Sequence, residues 1–556
     1  MVNQLCKLLT ILSSTTMALW MVPTSLQAQR IDEGKFEIEK ERVLKLSKAA
    51  RNFDRMPRLE ISTSAQAQQY RLPRFNFALP TLPINVQPLR QEAQKSEEQE
   101  NAYRNLAKAG FGNYLSPYGE VFISSSEEVQ WQYQLHGLHF SSLNGPVDGR
   151  NSGSSLTKLH GKLTRFTSSG KIYTAATYSR QGLRFYGYSP LISNFITLED
   201  IKQNFALAEV KAGYQLIEPA VPLSYQMEGN CYFFSDRYQA REAAFQLSGN
   251  ASKAIGAAGR FKTDISLDLL HRRDELGSQM RNLFMITPWY EQHREGIYFK
   301  VGARMAADGD SLTNQPKVRA YPLASAAIDL LKGQLRAFAS LEGNTLRKTF
   351  RTMAEENPFL APNVTLAHTN QLWELAAGVE GSFLKGLRWR LKSSYGIYGN
   401  LYFFANNTRD SSKFDILYDR NKVPLFQLQG EFAYAAGPLQ LSSKVGFFGY
   451  HTKQLARPWH RPLLTAELKA TYQLQETIRL SAILYHWAGI RAFSPRTGVQ
   501  INLKPIWDLN LQFDYFINSR FSAFINVYNA FSQSYQRFLH YPVRGLLIVG
   551  GIGIAF

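Results

Sequence analysis

Over most of its length the chain alternates apolar and polar residues with a period of two. In Leu464-Thr465-Ala466-Glu467-Leu468-Lys469-Ala470-Thr471-Tyr472-Gln473-Leu474 every second residue is apolar and the residues between are polar. Leu387, Trp389, Leu391, Tyr395 and Ile397 share one parity, with Arg388, Arg390, Lys392 and Ser394 on the other. Ile297, Phe299, Val301, Ala303 and Met305 oppose Tyr298, Lys300 and Arg304, and Leu509, Leu511, Phe513, Tyr515 and Ile517 oppose Asp508, Asn510, Gln512 and Asp514. Successive side chains of a strand point to opposite faces, so each set lies on one side of a sheet.

The segments are long. Each runs for about ten residues or more, where strands of soluble proteins average roughly five to six, and a tilted strand needs roughly 9–11 residues to cross a bilayer. The pattern predicts about 22 such strands between 103 and 556, with 279–290, 387–404 and 543–556 each read as one strand and 412–419 as part of a hairpin inside a loop. Tight turns at 168–171, 331–334, 385–386, 436–438, 474–477 and 517–520 alternate with longer polar connections at 141–154, 186–203, 306–316, 345–369, 405–422, 451–460, 491–500 and 531–542. Short turns on one side and long loops on the other mark an outer-membrane barrel. An open sheet edge in lipid would leave backbone groups unpaired, so the sheet must close. The expected fold is all-β: a transmembrane antiparallel up-and-down β-barrel. Ile548, Ile552, Ile554 and the terminal Phe556 share one face of the last strand and read as the C-terminal signal for the outer-membrane insertion machinery.

Two regions precede the barrel. Lys7 followed by the largely apolar Leu8 to Val22, then Pro23 and Ser25-Leu26-Gln27-Ala28, reads as a signal peptide over 1–28. Cys6 stands before the apolar run and is no lipoprotein cysteine, which leaves Cys231 alone in the mature chain and excludes an internal disulfide. Residues 29–102 carry the charged run Glu37 to Arg42 and prolines between Pro73 and Pro88; they read as a short irregular segment, periplasmic or packed in the lumen. Composition agrees with strands that have one wet face: 28 Tyr and 36 Phe on a chain of mean hydropathy −0.27. The net charge of +19 is spread along the chain rather than gathered into one patch, which argues against a nucleic-acid partner and for a basic lumen and contacts with outer-membrane lipid and lipopolysaccharide.

The segments Asp508–Phe516, Arg520–Asn529 and Tyr541-Pro542-Val543-Arg544-Gly545, with Lys108–Tyr114 and Gly145–Gly153 nearer the start, resemble a TonB-dependent receptor barrel of the Bacteroidota type. The resemblance spans roughly residues 100–556 and implies a cell outer membrane location and a role in solute binding or transport. It departs from the family in having about 75 residues before the barrel, where a folded plug of about 130 and an energy-coupling box belong. A plug-less barrel leaves a second reading, a non-transporting structural subunit of an outer-membrane protein assembly or secretion complex with envelope protein partners.

Catalytic chemistry is not indicated, and no cofactor is expected. His136 and His139 have odd spacing and face opposite ways. His451 and His460 flank a loop, Asp310, Ser311 and His368 suggest a rim hydrolase only on paper, and Asp148, Asn151 and Ser152 offer oxygens suited to Ca²⁺. No metal site is assigned. Trp131, Trp289, Trp389, Trp487 and Trp507 read as interface girdle residues. The residues expected to line the lumen are Lys300, Arg304, Arg388, Arg390, Lys392, Lys444, Lys469, Arg479, Glu431, Glu467, Asp508 and Asp514, either biasing ions or bracing the wall.

Overall fold

The computed structural model describes residues 105–556 apart from 126–129, 217–222, 257, 310–315, 332, 420–421 and 476. The signal peptide, the 29–102 segment, Asp310 and Ser311 lie outside the described residues.

The first strands are β1 (Leu106–Gly112), β2 (Ser116–Ser124), β3 (Trp131–Ser142), β4 (Ser154–Phe166), β5 (Gly170–Arg184), β6 (Lys202–Leu216), β7 (Leu223–Ser235) and β8 (Arg241–Ile255). Then come β9 (Gly259–Asp274), β10 (Leu283–Arg294), β11 (Ile297–Gly309), β12 (Pro316–Leu331), β13 (Leu335–Leu346), β14 (Thr369–Gly381) and β15 (Leu387–Gly399). The ring is completed by β16 (Val423–Ala436), β17 (Leu439–Tyr450), β18 (Leu464–Leu474), β19 (Ile478–Ala488), β20 (Ile506–Phe516), β21 (Phe521–Tyr528) and β22 (Leu547–Ala555). Each strand pairs antiparallel with the next, and β1 pairs with β22 from Leu106↔Ala555 to Gly112↔Val549. The result is a closed 22-strand barrel. A further short segment, Gly277–Met280, continues the hairpin on β9 before β10 joins the same strand.

Alternation becomes the two faces of this wall. Ile297, Phe299, Val301 and Met305 are exposed outward, as are Leu511, Tyr515 and Ile517. On the last strand Ile548, Ile552, Ile554 and Phe556 form an exposed apolar row. At the short-turn end the turns need little chain. Gly386 has φ +82°, and a Cβ there would sit 2.0 Å from the Ala435 carbonyl, so the turn requires glycine.

Three expected strands differ in extent. The expected strand 543–556 begins only at Leu547, because Tyr541–Pro542 before it pairs with Gln536–Phe538 inside the last loop. β10 runs to Arg294, past the expected 290, because Glu291 and Gln292 stay in the ladder opposite Arg260 and Gly259; polar residues are tolerated where a strand extends beyond the apolar band. The expected strand 387–404 ends at Gly399. Asn400 takes φ +52°, and Leu401–Asn406 turns into the mouth to pair with Phe414–Asp419. Leu401-Tyr402-Phe403-Phe404-Ala405 is apolar at consecutive positions, so it has no wet face to offer and is buried throughout. The hairpin expected around 412–419 is therefore present, with its partner drawn from the end of the supposed strand.

The long-loop end is filled by the loops themselves. Loop 347–368 carries a helix of about two turns, α1 (Phe350–Glu356), and enters where the ladders slip at Glu342/Asn344 and Gln371/Trp373; such bulges bend a strand and redirect its end. Phe350, Met353, Phe359 and Leu360 from this loop, Tyr402, Phe404 and Phe414 from the hairpin, and Phe538 and Tyr541 from the last loop form one apolar cluster with Phe185, Phe205, Phe234 and Leu270 of the wall or its rim.

Candidate functional site, a cap of loops over a charged lumen

The cap is assembled from strongly apolar loop tips that a flexible surface loop would not carry. Phe359 stacks on Tyr541 with ring centroids 3.6 Å apart, and Phe538 meets Phe404 and Phe414 edge-on at 5.9 and 5.3 Å. Ring pairs of this kind add about 0.5–1.5 kcal/mol each beyond their buried area.

Charged side chains of the wall fasten the cap. Glu242 on β8 is wholly buried; it accepts hydrogen bonds from the backbone N–H of Phe350 at 2.7 Å and of Arg351 at 3.2 Å, and from the Tyr232 hydroxyl at 2.9 Å. A carboxylate suits those amides because the first amides of a helix have no partner within it. Thr349 caps the same helix, its Oγ1 accepting from the Thr352 N–H at 3.1 Å. Arg351 pairs with Glu209 at 2.9 Å and Arg347 with Asp268 at 2.8 Å. Arg281 donates to the Lys348 carbonyl at 2.9 Å, and His368 Nδ1 accepts from Arg281 at 3.2 Å and from the Lys348 N–H at 3.1 Å. Burial holds the Lys348 ammonium down to about 8 and His368 well below the usual imidazole range.

A second set of bonds ties loop to loop. Arg461, 3% exposed, pairs with Glu356 at 3.1 Å and donates to the Tyr402 carbonyl at 3.1 Å. Arg537 donates to the His460 carbonyl. His460 Nδ1 donates to the Phe404 carbonyl at 2.7 Å, while its Nε2 accepts from the Leu539 N–H at 3.3 Å. That neutral tautomer is enforced by burial, which lowers His460 to about 3; burial and the nearby Arg496 lower His540 to about 4.

The cap therefore responds to acid. Both imidazoles bind protons more readily in a released loop than in the packed one. Their contribution is fully present above about pH 6.5 and is lost as pH falls from there towards 3, at up to about 1.4 kcal/mol per pH unit for His460. Amide hydrogen exchange, corrected for intrinsic rates, should show loops 400–419 and 529–546 losing protection between pH 7 and 4 while strands such as β11 and β18 keep theirs. Protection that is flat with pH would refute this.

Below the cap the inner face is polar and cross-braced. Lys300 lies 3.9 Å from Glu342 and over the Trp289 ring, and Arg304 donates to the Gly343 carbonyl at 2.6 Å. Arg390 bonds Glu380 at 2.7 Å, Lys392 Glu374 at 3.0 Å and Lys444 Glu431 at 3.4 Å. Lys469 pairs with Glu467, Arg479 donates to Gln473 at 3.0 Å, Asp514 pairs with Lys108 at 3.1 Å, and Asp508 accepts from the Tyr535 hydroxyl. Arg388 has no ion-pair partner among the described residues.

Other sequence-derived candidates do not converge. His136 bonds Glu120 on the inner face at 3.0 Å, whereas His139 faces out beside Thr157. His451 is exposed, His460 buried. His368 is packed against Arg281 rather than open at the rim. Asp148 accepts from Asn151 and Tyr188, and Ser152 is spent on the Val147 backbone. Among the described residues no group of three His, Cys, Asp or Glu is placed to hold a metal ion. Of the five tryptophans read as girdle residues, Trp131 and Trp507 are exposed outward. Trp389, on the same outward parity, stacks with Phe383. Trp289 and Trp487 correct the reading: their parity points inward, where Lys300 and Arg537 lie over their rings. Glu242, Arg281, Glu356, Arg461 and Arg537 escaped the sequence reading because nothing in local spacing separates a buried charged residue from an exposed one.

No family profile matches the chain, and no curated protein does. Solved structures do. The FrpB iron transporter from Neisseria meningitidis superposes with a TM-score of 0.63 at 8% identity, over 82% of this chain and 82% of that one. The siderophore receptor PirA from Acinetobacter baumannii gives 0.61 at 10%, over 83% and 81%. The pyoverdine outer membrane receptor FpvA from Pseudomonas aeruginosa gives 0.60 at 10%, over 83% and 79%. At these identities the likeness establishes the barrel fold of outer-membrane receptors.

Proposed function

We propose that this chain is a TonB-dependent-receptor-like barrel of the outer membrane that binds or passes a solute, with the long loops outside, the short turns and N-terminal segment in the periplasm, and the loop cap as its gate. The observation that carries the reading is the cap itself. Loops 347–368, 400–419 and 529–546 close the mouth over an inner face crowded with paired charges, and a barrel with a polar, ion-braced interior has a path worth gating. The fold shared with receptors and transporters supports the same reading.

The second reading, a structural subunit of an envelope assembly or secretion complex, draws on the cap's core-like packing, which would suit permanent closure. Single-channel recording of the full chain in planar bilayers separates them. The expected record is long closed intervals with ion-passing openings that become frequent when residues 350–361 are deleted. A barrel that never conducts, deleted or not, and that co-purifies in fixed ratio with envelope proteins would refute transport.

A further inference from the structure

Arg537, in the last loop, is only 6% exposed and is packed among rings. Its guanidinium lies 4.7 Å from the centre of the Phe538 ring and 5.0 Å from that of Trp487. A guanidinium has five N–H donors. One of them, on Nη1, donates to the His460 carbonyl, and Nε is buried with no hydrogen-bond partner. Among the described residues no carboxylate lies within ion-pair distance of Arg537. Glu356, whose charge reaches it, is already taken by Arg461 at 3.1 Å and by the Tyr402 hydroxyl.

The neighbourhood deepens the imbalance. Arg461 lies over the Tyr402 ring at 4.3 Å and Lys348 over the same ring at 4.9 Å, and Lys348 also has no carboxylate within ion-pair distance among the described residues. Three cations of the cap core therefore meet one carboxylate. Burial brings the Arg537 guanidinium down only to about 10, so it stays charged at neutral pH. Taking such a group out of water without a counter-charge costs more than contacts with ring faces return, and buried charges in folded proteins are paired.

We infer that the closed cap binds one halide ion, chloride, on the Nε edge of Arg537. Charge sets the valence: Arg461 and Glu356 neutralise each other, Lys348 is only half-buried, and Arg537 is the fully buried cation left to balance, which takes a single negative charge. Surroundings set the kind of ion. A core built from Phe404, Phe414 and Phe538 supplies few donors, so the several oxygens of an oxyanion would be left unsatisfied where the single centre of a halide is not. Closure then takes up an anion, and the cap tightens with chloride in proportion to 1 + [Cl⁻]/Kd. The inference needs the packing of the cap alone and stands whether or not the barrel conducts.

The test compares amide hydrogen exchange of the full chain in mild detergent, at neutral pH and fixed ionic strength, with chloride replaced by the bulky gluconate anion. Loops 400–419 and 529–546 should be protected about tenfold better in chloride, the gain growing with chloride concentration, while strands such as β11 do not change. Arg537→Met removes the charge and keeps most of the bulk. It should be as well protected in gluconate as the wild type is in chloride, and should ignore chloride; Lys348→Met should keep the chloride response. Crystals grown in bromide should show one anomalous peak within hydrogen-bonding distance of Arg537 Nε. Equal protection of the wild type in both salts, a chloride response that survives Arg537→Met, or bromide density absent from Arg537 would each overturn the site. A gain in protection given by sulfate and not by chloride would overturn it as well, because the ligand would then be an oxyanion. Should Arg537→Met fail to fold, the bromide peak and the wild-type salt comparison decide alone.

Discussion

Replacing Glu242 by alanine should release the helix α1 loop and convert a mostly closed barrel into a leaky one. The Glu242 carboxylate, itself wholly buried, is the shared acceptor for two backbone amides and a tyrosine hydroxyl beneath the cap. A buried donor left without an acceptor costs about 1–3 kcal/mol. Arg347 gives no relief at Tyr232, because it donates to the hydroxyl oxygen at 3.3 Å and cannot accept the stranded O–H, so with three donors released a loss of about 3–9 kcal/mol in cap stability is expected overall. The barrel wall should be untouched, because β8 keeps its ladder on both sides. The measurement is hydrogen exchange of residues 347–368 alongside open probability in bilayers: protection should fall at least a hundredfold and openings should rise. Glu242→Gln, which retains an oxygen acceptor, should fall between. If Glu242→Ala leaves both readouts at wild-type values, the apolar cluster alone holds the cap and the anchoring role is wrong.

Gly551→Val should abolish ring closure. Gly551 lies opposite both Phe524 and Gly110, and a Cβ there would stand 2.2 Å from the Ala109 carbonyl oxygen and 2.6 Å from the Phe524 ring. A backbone oxygen cannot swing aside, so β1 and β22 must separate, exposing unpaired backbone groups in lipid at several kcal/mol each. Heat-modifiable mobility on gels, which reports a closed barrel, should be nearly lost. Gly119→Ala is the control: nothing lies within 4 Å of its Cβ position, and it should fold as the wild type does. A folded Gly551→Val barrel would show that the seam is looser than its register implies.

The barrel was legible in the sequence because membrane strands obey two constraints at once. Phe299, Val301 and Met305 must be greasy, and Lys300 and Arg304 between them are free to be charged; that alternation survives without any knowledge of neighbours. The alternating turn lengths gave the up-and-down order for the same reason. The cap was not legible. Leu401-Tyr402-Phe403-Phe404 reads locally as more strand, and only its burial against Phe538 and Tyr541, more than a hundred residues on, reveals a loop that folds inward. Trp487 likewise reads as a girdle residue until Arg537 is found above its ring. Contacts between distant loops leave no periodic trace, so the site had to come from the structure.

The pairing of β1 with β22 also sets a timetable. Lys108 is opposite Gly553, and Asn105 bonds Phe556 through both backbone groups, so β1 acquires its second neighbour only when a strand more than 400 residues further on is present. No stretch of nascent chain can finish the job alone, and contacts this remote in sequence form slowly. Until the first and last strands of the ring meet, each presents an unpaired edge that another chain could join.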